Sequence, residues 1–177
     1  MPNNRRITYL LTALLALFII TASPAHEAHA QQGELSDSKE KDFKDFNTAD
    51  ELFRAGHYLL AISRIEKFLK NYPNDIPGRT LKAWTLLKLD RADEAKAVID
   101  DILTKNPEHS DALVAAGVFH RKIGENDKAL EFYEKALAIN PNDPYALSSI
   151  VTVALLSCEI KKAVDYGERG VKGAADD

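Results

Sequence analysis

Residues 110–143 read SDALVAAGVFHRKIGENDKALEFYEKALAINPND. Two apolar patterns of helical spacing flank Gly124, and Pro141 follows the second. The phrase recurs: Pro73, Pro107 and Pro141 fall 34 residues apart and end the similar strings Lys-Asn-Tyr-Pro-Asn-Asp, Thr-Lys-Asn-Pro-Glu-His and Ala-Ile-Asn-Pro-Asn-Asp. The same period aligns Ala49, Ala83 and Gly117, then Leu52, Leu86 and His120, then Ala61, Ala95 and Ala129. Ile65, Ile99 and Tyr133 follow, then Leu69, Leu103 and Leu137. Small residues recur at small positions and large at large ones. Gly56, Asp90 and Gly124 align between the two patterns of each unit, where a tight turn between antiparallel helices favours Gly or Asp.

Each unit therefore predicts two helices of about three turns, neither able to bury its apolar stripe alone. Small residues such as Ala83, Ala116, Gly117 and Ala129 let backbones approach, and the larger residues fill the space between neighbours. Proline stops the second helix, because it lacks an amide proton and clashes with the preceding turn. In the third junction Asp143 is placed to cap, and Pro144 to open, the next helix.

This pattern resembles the tetratricopeptide repeat, a 34-residue helix-turn-helix unit. Residues 110–143 match best, through Leu113, Ala116, Gly117, Gly124, Ala129, Tyr133, Ala136 and Pro141, with His120 in place of a packing aromatic. The resemblance implies an all-α, right-handed superhelical solenoid of about four repeats, approximately 42–75, 76–109, 110–143 and 144–177. The fourth is a degraded copy: Ala163 holds its place, but Cys158 replaces the turn Gly, Gly167 and Gly170 replace larger residues, and Ala175 replaces Pro. Ile160, Ala163, Val164, Gly167 and Val171 share one face of its second helix, leaving an end that frays or is completed by a partner.

The first thirty residues resemble an export signal rather than part of the fold. Arg5 and Arg6 precede a mostly apolar 16-residue stretch, Ile7 to Ala22, and Ala28-His29-Ala30 is a small-x-small cleavage site. The mature chain is expected to begin at Gln31. The alternative, a retained anchor, falls short of the ~20 residues needed to cross a bilayer core. No Cys follows the apolar run, which excludes a lipoprotein, and the residues after the paired arginines do not suit a twin-arginine signal. The protein is thus expected to be exported, periplasmic or secreted, touching a membrane only through an uncleaved signal. Residues 31–41 read as a polar tether.

Composition narrows the chemistry. The 177-residue chain suits one domain, and its single Cys excludes an internal disulfide, a four-thiolate zinc site and a CxxC pair. A formal charge of −4 lacks the basic excess that nucleic acid requires. His57, His109 and His120 share no ligand spacing, and His120 reads as a partly buried core residue. Cys158 reads as a small buried thiol rather than a nucleophile, with an enzyme or redox accessory using it as the remote alternative. No catalysis, metal or cofactor is expected.

Binding is the better reading. In the tetratricopeptide family the first helices line a concave groove, which the resemblance places on Phe46, Asp50, Phe53 and Arg54, and on Thr80, Trp84, Leu87 and Lys88. Val114, Val118, Arg121 and Lys122 follow, then Ser148, Thr152, Leu155 and Leu156. Phe46, Phe53, Trp84, Val114 and Val118 would anchor apolar side chains, while Arg54, Lys88, Arg121 and Lys122 would orient an acidic group of a protein or peptide partner. The competing reading assigns Phe46, Leu87, Val114 and Val118 to packing between repeats and wedges Trp84 between the first two. The Lys and Asn clamp of chaperone-tail-binding repeats is absent, since Phe46, Asp50 and Leu81 stand there. A further alternative docks a subunit at the C-terminal edge.

Overall fold

The computed structural model describes residues 39–173 except 41 and 43. The leader-like residues 1–30 lie outside the described residues. The chain divides into two compact units, Met1–Lys44 and Asp45–Asp177. In the first, Lys39, Glu40, Asp42 and Lys44 are helical, so two residues read as tether are helix.

The second unit is all helical among its described residues, and is a helical-repeat solenoid. Helix α1 covers residues 45–54. It is followed by α2 (Tyr58–Asn71), α3 (Ile76–Lys88), α4 (Ala92–Lys105), α5 (Ser110–Lys122), α6 (Asn126–Ile139), α7 (Pro144–Leu156) and α8 (Ile160–Gly173). Consecutive helices pack, and first helices also touch across units, α3 with α5 and α5 with α7. First helices therefore form the inner layer and second helices the outer one.

The period is written into the turn within each unit and the turn between units. Gly56, Asp90, Gly124 and Cys158 all adopt positive φ, between 59° and 82°. The next amide in each case reaches back to a carbonyl of the first helix, as in His57 to Leu52 (2.8 Å) and Glu159 to Ala154 (2.8 Å). This left-handed cap satisfies carbonyls that the helix end leaves free and turns the chain into the second helix. Cys158 is thus exposed at a turn, correcting the expected buried thiol. The C′ position of such a cap lies outside the helix pair, whatever residue occupies it.

At the other turn each proline is the second residue of a hydrogen-bonded turn, closed by Asp75 N–H to Tyr72 O (3.1 Å), His109 to Asn106 (3.1 Å) and Asp143 to Asn140 (3.2 Å). The residue closing each turn then caps the next helix. Asp75 accepts from the Gly78 amide at 2.7 Å, the His109 Nδ1 from Ala112 at 3.2 Å, and Asp143 from Ala146 at 2.8 Å.

The core interlocks small with large. Gly117 on α5 lies so close to Tyr133 on α6 that an added Cβ would sit 2.4 Å from the ring. At the same register the other units pair Ala49 with Ile65 and Ala83 with Ile99, each pair within one buried cluster, and Val151 with Gly167. One cluster spans Ile62 to Phe119, and another spans Leu113 to Val153. Trp84, Val118 and Phe132 pack against both, joining them into a continuous core.

The positive φ of Cys158 is costly for a side chain with a Cβ. Cys158→Gly, which restores the residue found at 56 and 124, is expected to stabilise the domain by about 0.5–1 kcal/mol, read as a raised midpoint in urea unfolding.

Candidate functional site

The inner layer carries an open cavity of about 640 Å³ lined by Phe46, Asp50, Phe53, Arg54, Pro77, Thr80, Leu81, Trp84, His109, Asp111 and Tyr145. A smaller compartment of about 180 Å³ is lined by Phe53, Trp84, Lys88, Asp111, Val114, Asp143 and Tyr145. Four shared residues make the two one groove. Its walls come from α1, α3 and the starts of α5 and α7.

Helical spacing explains the convergence. Pro77, Thr80 and Trp84 follow one another at i, i+3 and i+7 on α3, so they share its inner face. Tyr145 lies one residue into α7 and reaches back until its ring is 5.9 Å from that of Trp84. Tyr145 is 65% exposed and Trp84 is half-buried, so both are available as contact surface while Trp84 also packs in the core. Phe53 is half-buried beside Tyr58 (5.6 Å), and Phe46 lies 4.9 Å from buried Phe68.

Of the nine residues expected from sequence, Phe46, Phe53, Arg54, Trp84, Lys88 and Val114 line the groove. Val114 is 1% exposed and belongs to the core as well, and Leu87 is buried outside the groove. Val118, Arg121 and Lys122 do not line it. Val118 packs into the two core clusters. Lys122 turns to the preceding unit and pairs with Asp90 at 2.7 Å. Arg121 lies by the buried Tyr133 hydroxyl, as does Ser149; neither meets hydrogen-bonding geometry there, and both oppose the burial that pushes the phenol up. The basic edge is confined to Arg54 and Lys88.

Arg54 is itself paired with Asp50 at 2.9 Å. Lys88 and Asp111 have no ion-pair partner among the described residues, and they sit together in the smaller compartment. The site thus offers four aromatic rings with separate positive and negative groups.

Sequence reasoning missed Tyr145, Pro77, His109 and Asp111. Pro77, Asp111 and Tyr145 occupy one register position, three residues before the expected Thr80, Val114 and Ser148, and extension of the stripe by one turn would have found them. His120 is a partly buried packing residue, as expected: it stacks on Phe132 at 5.1 Å and 10°. It also pairs with Glu125 at 2.7 Å, which, with Lys128, holds that carboxyl below its usual range. Among the described residues no group of His, Cys, Asp and Glu is placed to hold a metal, and no helix is long and apolar enough to cross a membrane.

Known proteins carry the same architecture. The chain is 32% identical over 120 residues, 68% of its length, to the Phagocyte signaling-impaired protein of Aedes aegypti, and spans only 12% of that relative. A thermophilic TPR protein of Thermus thermophilus superposes with a TM-score of 0.68 at 20% identity, covering 74% of this chain and 73% of that one. The first TPR of Spaghetti (RPAP3), solved bound to the HSP90 peptide SRMEEVD, superposes at 0.58 with 18% identity, over 67% of this chain and 94% of that one. The family described as the Psidin N-terminal TPR repeats region matches residues 50–157. A 34-residue period, paired helices and this match together make the chain a member of the tetratricopeptide-repeat family, in its Psidin N-terminal region group.

Proposed function

We propose that this chain is a non-catalytic binding module whose inner groove holds an apolar-anchored peptide or helix of a partner protein, as an adaptor or assembly factor. The observation that carries this reading is the approach of Trp84 and Tyr145, from the second and fourth units, over one cavity. Aromatic side chains that are partly exposed at a concave surface bury large areas at small entropic cost when a partner arrives. Lys88 adds a site for one acidic group, while Asp111 disfavours a run of acids and suits a basic or amide neighbour. The neighbour bound to SRMEEVD supports the mode, a peptide held by a repeat of this architecture. Its acidic ligand chemistry does not transfer, because Phe46, Asp50 and Leu81 replace the clamp.

Trp84 is the sole tryptophan of the chain, so its emission reports on the groove. Peptides selected from a random displayed library are expected to carry a bulky apolar residue and to shift that emission. Trp84→Ala and Tyr145→Ala should each weaken them by about 2 kcal/mol, roughly 30-fold, by titration calorimetry. Parental affinity retained in both variants would remove the groove from the account.

The leader-like start adds export to the proposal, with the partner in the cell envelope or outside the cell. Mass spectrometry of the protein from its host is expected to find Gln31 as the first residue. A chain that still begins at Met1 would contradict it.

A further inference from the structure

The last described helix leaves apolar surface bare at positions that the preceding repeat covers. Val164 and Val171 on α8 share the register of Leu130 and Leu137 on α6, which are 8% and 6% exposed. Val164 is 53% and Val171 is 75% exposed, with Ile160 at 60%. In the third unit these positions pack against α7, the first helix of the next unit, and Ile62 does the same against α3, although the second unit carries the exposed Lys96 there; the bare stripe is thus shaped to receive a helix. The opposite end of the solenoid does not complement it. On α1 the residues in register with Leu81 and Thr85, Asn47 and Glu51, are polar and exposed. Head-to-tail stacking would thus lay polar groups on the apolar stripe, which costs desolvation without pairing.

The stripe is complementary to itself. Ile160, Val164, Gly167 and Val171 are spaced by four, three and four residues, the seam of a two-helix coil. We propose that α8 pairs with α8 of a second copy, antiparallel about a two-fold axis between positions 165 and 166. Ile160 then lies opposite Val171 of the second copy, and Val164 opposite Gly167, where the missing side chain admits the valine and brings the helices close. The flanking charges fit the same register. Lys161 faces Glu168 of the second copy, and the symmetry makes the pair twice. Both are exposed and have no ion-pair partner within the chain among the described residues. Their neighbours are occupied: Lys162 pairs with Glu134 at 3.2 Å, and Arg169 covers the Tyr166 ring at 4.9 Å. This interface is independent of the groove.

Sedimentation velocity of the 177-residue chain across a concentration series tests it, with circular dichroism as the check on folding. The parent is expected to pass from monomer to dimer. Lys161→Glu and Glu168→Lys should each weaken dimerisation by roughly tenfold or more, because like charges then meet twice. The double variant, Lys161→Glu with Glu168→Lys, should recover parental dimerisation, which only an antiparallel self-pairing provides. A parent that stays monomeric, growth to open chains, or single and double variants that behave alike would overturn the proposal.

Discussion

The structure depends on a size match between the two helices of each unit. Where the first helix carries Gly117, the second carries Tyr133, and where the first carries Ala49 or Ala83, the second carries Ile65 or Ile99. The last unit reverses the sense, with Val151 opposite Gly167. Interiors packed to crystal-like density tolerate neither a void nor an extra methyl group at such a contact. The match therefore sets how closely helices approach within each unit, and with it the stacking that forms the inner layer. Tyr133 is fully buried, and its hydroxyl has no hydrogen-bond partner among the described residues, so the ring is held there by packing.

The groove is a consequence of that stacking rather than a separate device. First helices touch across units, which brings the start of α7 near the middle of α3 and Tyr145 within reach of Trp84. The positive-φ turn repeats in all four units and the proline turn at all three junctions between them, so the inner faces stay in register over the stack. Trp84 serves both purposes: it packs against both core clusters and lines the cavity. A ring fixed from behind by the core is pre-organised for contact, which lowers the entropic cost of binding.

The period was legible because the prolines, the turn residues and the small positions are constrained by backbone geometry, and such constraints recur wherever the fold recurs. The all-helical class and the helix pairs followed from it. Side-chain direction was less legible. Arg121 and Lys122 sit at inward register positions, yet Arg121 lies by Tyr133 and Lys122 reaches across to Asp90. Long flexible side chains choose among partners that only the assembled structure brings near. Cys158 aligns with the turn glycines, yet its residue type points to burial; the left-handed cap imposes an exposed position. Tyr145 is hard to read from the repeat, because its equivalents, Pro77 and Asp111, share its place but none of its chemistry.

A double-mutant cycle on Gly117 and Tyr133 tests the size match most directly, with unfolding free energies from urea denaturation. Gly117→Ala drives a methyl group into the ring, and Tyr133→Ile leaves a void beside the glycine. Their combination recreates the Ala and Ile pairing of the first two units. The account predicts that the double variant is more stable than the sum of the single losses by at least about 1 kcal/mol. Losses that simply add would mean that the two helices do not set their approach through this contact, contradicting the account.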